Sequence, residues 1–170
     1  MMMRVVKKRV GLIVLVKLKD AELAAVLQGR GFFNSETRKP ESYPGICQVT
    51  VHGKLENNES AKQALFREIR EELGRDFERE VKKAKILEIH RFHESRHQVI
   101  TYAAKLPAKA LKAIRPGSSS GGLRLITQSE INRIKTVKPA HKIKGVLDRN
   151  AIVMFSDELE AVKKAFKVFS

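Results

Sequence analysis

Three glutamates, Glu68, Glu71 and Glu72, stand at i, i+3 and i+4 within GKLENNESAKQALFREIREELG, residues 53–74. On a helix the three share an arc of about 100°. Like charges at these spacings repel and mildly destabilise a helix. A divalent cation would offset that repulsion, and clustered carboxylate oxygens are the hard donors that Mg²⁺ or Mn²⁺ takes. Glu56 and the carbonyl of Gly53, in the loop leading into the helix, are candidates to complete such a site. Arg67 adjoins Glu68 and could orient a carboxylate through a bidentate contact. Without a metal, the same glutamates read as a solvated acidic face balanced by Arg67, Arg70 and Arg75.

The helix that must carry these groups is legible. Ser60 followed by Gln63 is a capping-box signature. Ala61, Leu65, Ile69 and Leu73 form one apolar stripe, bordered by the carboxylate arc, and Gly74 stands where a C-terminal glycine cap belongs. Upstream, Val10–Leu18 and Leu23–Gln28 read as strands around a Lys19-Asp20 turn. Residues 29–45 are Gly, Pro and polar-rich and read as a loop; Cys47–Val51 alternates and reads as a short strand.

Downstream, Lys85–Phe92 and Gln98–Leu106 predict a hairpin around HESRH. Pro107–Ile114 reads as a short helix, residues 115–122 (RPGSSSGG) as a flexible loop, and Leu123–Ile126 as a short strand. Ser129 is the expected cap of a short helix through Ile134, and 135–149 reads as basic and irregular. Asp157 with Glu160 is the expected capping pair of a terminal helix with Leu159, Val162, Phe166 and Phe169 on one face. Neither an internal repeat nor a long linker interrupts the chain. The expectation is one domain over residues 1–170, with helices and strands around one sheet.

The segment at 53–74 resembles the signature of the Nudix hydrolases. That pattern is Gly, five residues, Glu, seven residues, then Arg-Glu-apolar-any-Glu-Glu-any-Gly-apolar. Gly53, Glu59, Arg67, Glu68, Ile69, Glu71, Glu72 and Gly74 fill it, and only Arg75 departs, at the last apolar position. The resemblance implies an α/β/α sandwich around a mixed central sheet. It also implies hydrolysis of a pyrophosphate bond in a nucleoside diphosphate linked to another group, with Mg²⁺ or Mn²⁺. By that likeness Glu68 and Glu72 are the main metal ligands, and Glu71 is a further ligand or helps activate water. Arg67 and Glu59 brace the loop–helix–loop, Lys54 touches a phosphate, and Arg30 faces substrate. Some relatives take a general base from a later loop. No acidic residue lies between Ser95 and Ser129, so Glu94 and Glu130 are the nearest candidates beyond the box, and Glu71 is the candidate within it.

The 170 residues carry 34 Lys+Arg against 19 Asp+Glu, a formal charge of +15, with 42% hydrophobic residues. That composition excludes a disordered tail, a collagen-like repeat and a disulfide scaffold. One cysteine, Cys47, permits no intrachain disulfide and points to a reducing, cytoplasmic setting. The basic N-terminus followed by an apolar run imitates a signal peptide. The run holds Lys17, is followed by Lys19 and Asp20 rather than small residues, and falls short of the roughly 20 apolar residues of a spanning helix. The first of three methionines need not be the true start. Excess positive charge points to polyanionic partners. Segment 53–80 holds eight acidic and six basic residues, so the basic excess lies outside the box.

Other features read more plainly. His90, His93 and His97 lack cysteine or paired carboxylate neighbours at zinc-ligand spacing and read as hairpin-surface or substrate-loop histidines. Isopentenyl diphosphate isomerases share the Nudix fold and use an upstream cysteine, but their box is eroded; with this nearly complete box, Cys47 reads as a small buried residue. Gly29-Arg30-Gly31 is too short for a phosphate-cradling loop. The terminal helix, with Lys163, Lys164 and Lys167 opposite its stripe, is expected on the sheet rather than on a membrane. The leading expectation is therefore a Mg²⁺-dependent pyrophosphohydrolase acting on a phosphorylated small molecule, a nucleotide or its derivative. RNA 5′-end hydrolysis and a nucleotide- or RNA-binding module are the alternatives, and a homodimer is compatible with the resemblance.

Overall fold

The computed structural model describes residues 6–34, 37–118, 120–138 and 151–170. Its strands are β1 Lys7–Lys17, β2 Leu23–Arg30, β3 Phe33–Asn34, β4 Lys39–Pro40, β5 Cys47–Gln48, β6 Val51–Lys54, β7 Ile86–Glu94, β8 His97–Leu106, β9 Ser120–Thr127, β10 Lys135–Val137 and β11 Val153–Phe155. Its α-helices are α1 Ala61–Leu73, α2 Arg75–Lys82 and α3 Ser156–Phe169, with 3₁₀ turns at Ala108–Ala113 and Gln128–Arg133.

Val10 to Val16 are all buried because β1 is the central strand and is covered on both faces. The main sheet runs β5-β2-β1-β8-β7, with β6 also on β1 and β9 also on β2. β1 and β8 are parallel, and the other pairs are antiparallel, so the sheet is mixed. Alternation along β1 divides two cores. Val10, Leu12, Val14 and Val16 pack with Leu65, Ile69 and Leu73 of α1 and with Phe77 and Val81 of α2. Ile13 and Leu15 pack with Leu159, Val162 and Phe166 of α3. The result is the expected α/β sandwich, with α1 and α2 on one face and α3 on the other.

β1 changes partner along one edge. Residues 14–17 pair with β2, while residues 9–12 pair with β6. The two partners diverge, and the buried Thr50 hydroxyl fills the gap where they part. It accepts from the Val14 amide at 2.8 Å and donates to the Val26 carbonyl. The short strand read over Cys47–Val51 is therefore broken at Val49-Thr50, because its two halves pair with different strands.

Several local expectations are corrected. The loop 29–45 contains the small β3–β4 pair. β9 begins at Ser120 rather than Leu123, since its glycines lie along β2. Thr127, not Ser129, caps the turn at 128–133, its amide and hydroxyl both meeting Glu130. α3 opens at Ser156 with no side-chain cap bond, so Asp157 with Glu160 is not its capping pair. α2 lies in a stretch to which the sequence assigned no element. It follows α1 after Gly74, whose φ of 97° lets the chain turn between the two helices. The three starting methionines and residues 139–149 of the basic stretch lie outside the described residues.

Candidate active site

The capping box of α1 forms as expected. Gln63 N donates to Ser60 Oγ at 3.2 Å, and Ser60 N donates to Gln63 Oε1 at 2.8 Å. Burial of Ala64, Leu65, Ile69 and Leu73 then fixes the rotation of the helix against the sheet. Glu68 and Glu72 are turned onto β6, where burial raises both carboxyls and the backbone amides of Lys54 and His52 oppose the rise. Gln28 of β2 adds Nε2–H to Glu72 Oε2 at 2.8 Å. Glu71 lies further out, with its side chain 57% exposed.

Gly53 makes this approach possible. A Cβ there would lie 1.8 Å from Glu68 Cδ, so no other residue fits without moving the carboxylate. Arg67 ties loop to helix. It holds Glu59 through both oxygens, at 2.9 and 3.1 Å, and donates to the Lys54 carbonyl at 2.7 Å. Its Nη1 reaches Glu68 at 2.9 Å and Glu71 at 3.2 Å. The bidentate contact is thus with Glu59 rather than Glu68. Glu59 in turn accepts the Glu56 amide at 3.0 Å, which closes the loop. Arg67 holds the Glu59 carboxyl below the usual range through this bond.

These groups line one wall of a cavity of about 700 Å³. The cavity occupies the divergence between β2 and β6. Gln28, Gly29 and Arg30 come from β2, Gln48 from β5, Arg9 from β1, and His52, Gly53 and Lys54 from β6. Glu56 and Leu55 stand in the loop after β6, and Gly117, Ser118 and Ser120 border the rim. Arg30 is anchored by Gln48 Oε1 at 3.2 Å and the Ser42 carbonyl at 2.9 Å, with Glu41 at 3.9 Å. Its place follows a register shift between Gln28 and Arg30, where β9 passes so close that a Cβ on Gly121 would meet the Arg30 carbonyl at 2.5 Å. Burial pushes His52 down to about 3, with the charges of Arg9 and Arg30 adding to the effect, so it faces the cavity as a neutral imidazole.

No family model matches the chain, and no curated protein matches it. Solved structures do match. One is a mutT/nudix family protein from Listeria innocua, with TM-score 0.63 at 20% identity over 96% of this chain and 93% of that one. The chain has the Nudix fold. A second match is the NUDIX domain of Shewanella oneidensis NrtR complexed with ADP ribose, with TM-score 0.62 at 12% identity over 100% of this chain and 91% of that one. A third is a Caenorhabditis elegans Ap4A hydrolase binary complex, with TM-score 0.50 at 18% identity over 74% of this chain and 82% of that one.

The donor chemistry of the Nudix box fits a divalent ion. Burial pushes the Glu72 carboxyl up to about 8; the Gln28 bond opposes this, while Glu68 and Glu71 add to it. A cation beside these oxygens would relieve that cost. Among the described residues no group of three or more His, Cys, Asp or Glu side chains is placed, as they stand, to hold a metal ion. Arg67 Nη1 bonds one oxygen each of Glu68 and Glu71, so an ion would compete with Arg67 for them.

Of the box residues, Gly53, Arg67, Glu68, Glu71 and Glu72 line the cavity, while Glu59 acts through Arg67, Ile69 is buried in the core and Gly74 ends the helix; Lys54, Glu56 and Arg30 line the cavity too. The candidate bases beyond the box do not. Glu130 is engaged with Thr127, and Glu94 closes the β7–β8 hairpin opposite His97. Cys47 is buried as read. His93 and His97 are exposed on the hairpin as read, but His90 packs toward α3, its Nδ1 2.7 Å from Lys164 Nζ. Sequence reasoning missed Arg9, Gln28, Gln48, Glu41 and His52. Gln28 alone left a signal, as a polar residue ending the apolar run LAAVLQ. Arg75 opens α2, and the burial expected of an apolar residue there passes to Phe77.

Proposed function

We propose that this protein is a Nudix-type hydrolase that cleaves a pyrophosphate bond in a nucleoside diphosphate linked to another group. The observation that supports this most is the two-sided cavity. The carboxylates of Glu68, Glu71 and Glu72 form one wall, and Arg9, Arg30 and Lys54 approach from the strands. In this reading Glu68 and Glu72 hold Mg²⁺ or Mn²⁺, with Glu71, Glu56 and the Gly53 carbonyl as further oxygen donors. A bound divalent ion would neutralise the pyrophosphate and lower the pKa of an attacking water. Arg67 keeps Glu68 and Glu71 oriented. Lys54 and Arg30 bind phosphate oxygens. Glu71 is the exposed carboxylate on α1 and takes the proton of the attacking water, since Glu94 and Glu130 are engaged elsewhere and Glu41 faces Arg30. ADP ribose and Ap4A, named with two of the matching structures, are the first substrates to try.

The test is a hydrolysis screen with Mg²⁺ over nucleoside triphosphates, ADP-ribose, dinucleoside polyphosphates and 5′-triphosphate RNA. Glu68→Gln and Glu72→Gln should each lower kcat by about 10²–10⁴-fold while circular dichroism is unchanged. Wild-type rates in both variants would remove the metal assignment. The basic excess outside the box supports RNA as the second substrate class. A steep fall in RNA binding with salt, absent for mononucleotides, would favour it. Among the described residues no helix is long and apolar enough to cross a membrane. We infer a cytoplasmic setting from the lone cysteine.

A further inference from the structure

We propose that Arg9 and Arg30 form a second anion subsite in the cavity, so that the substrate carries a further phosphate group beyond the pyrophosphate at the carboxylate wall. The placement of that wall rests on the hydrolase reading; the anion subsite does not. Arg9 stands on β1 directly opposite Lys54, and Arg30 stands on β2, the other prong of the fork. The two guanidiniums therefore approach the cavity from separate strands.

Their contacts differ in a telling way. Arg67 satisfies the box glutamates by direct bonds, whereas Arg9 takes part in no ion pair among the described residues. Its Nε is buried and has no hydrogen-bond partner. A buried donor left unsatisfied is costly, and more so on a charged group. An incoming oxyanion removes that cost. Arg30 is fixed by Gln48 and Ser42 through Nε and Nη1, while its Nη2 makes no bond among the described residues. A planar fork held in this way suits phosphate oxygens.

The remaining lining agrees with charge as the means of recognition. Among the described residues the cavity wall has no Phe or Tyr, and Leu55 is its one aliphatic side chain. The His52 imidazole is the one aromatic ring among the described lining residues, so the wall offers far more charge than stacking surface. The volume of about 700 Å³ exceeds what one metal-bound pyrophosphate fills, which leaves room at the arginines. The extra phosphate comes either from a longer phosphate chain or from a monoester on the distal group. Both present the same oxyanion.

Calorimetry in EDTA, at about 0.15 M salt, reads the subsite without metal or turnover. The probes are pyrophosphate, tripolyphosphate and ribose 5-phosphate. Wild type should bind these anions, and Arg9→Ala should weaken their binding at least tenfold, with Arg9→Lys restoring part of the affinity; whether tripolyphosphate or ribose 5-phosphate loses more identifies the source. Lys109→Ala, an exposed lysine outside the cavity, should leave the affinities intact and so exclude general charge. An Arg9→Ala protein with an unchanged melting temperature and wild-type affinity overturns the proposal, as does no anion binding in wild type. If Arg9-dependent binding holds while no substrate is hydrolysed, the hydrolase reading alone fails.

Discussion

At Gly53 a single hydrogen in place of a side chain sets the position of a carboxylate. With Cβ required 1.8 Å from Glu68 Cδ, Gly53→Ala must displace either β6 or Glu68. A misplacement of about 1 Å can cost 10²-fold in rate, so kcat for any substrate found in the screen should fall about 10²-fold with little loss of stability. Glu158 makes a different prediction. Burial, with Asp157 beside it, raises its carboxyl to about 8, and it accepts the Val49 amide at 3.4 Å. The folded state holds this proton more tightly than the unfolded chain. Its contribution is therefore fully present below the ordinary carboxyl range and is lost as pH rises through about 8. Glu158→Gln should match wild type near pH 4 in urea unfolding and exceed it by about 2–4 kcal/mol at pH 8. A gap that does not change with pH would refute the assignment. Residues of this kind are hard to read from sequence. Glu68 and Glu72 announce themselves by spacing, but Arg9 stands beside Lys7 and Lys8 and differs from them only through the strand it faces.

Among the elements, α1 was legible because cap, stripe and terminal glycine agree. α2 was not, because it offers only Phe77 and Val81 as apolar anchors over eight residues, too few to establish a period. Those anchors nonetheless complete the core beneath α1. Phe77→Ala should cost about 3–5 kcal/mol in denaturant, with loss of activity only where the helix loosens. The fork in the sheet was equally hidden, since the sequence shows an unbroken apolar-polar alternation through Thr50. The Thr50 hydroxyl is bonded to both Val14 and Val26. Thr50→Val keeps the shape but strands a buried amide and carbonyl, and should destabilise by about 1–3 kcal/mol. An unchanged denaturation midpoint would mean that water or relaxed pairing replaces the hydroxyl.

For the whole molecule, the formal charge of +15 surrounds an acidic segment at the cavity. A field of that sign draws polyanions toward the site and weakens as salt screens it. KM for a phosphate-rich substrate should therefore rise several-fold from about 0.05 to 0.5 M salt while kcat changes little; a flat KM would show that net charge does not steer binding. The sheet topology assigns some of the basic residues a second duty. β1 pairs in parallel with β8, with Lys7 opposite His97, so the most apolar strand is synthesised some 90 residues before its long partner. Parallel pairing across such a separation forms late in folding. Until then Val10–Val16 is an exposed β-prone segment able to recruit other nascent chains. Lys7, Lys8 and Arg9 before it, and Lys17 and Lys19 after it, are the gatekeeper charges that oppose such aggregation on and after the ribosome.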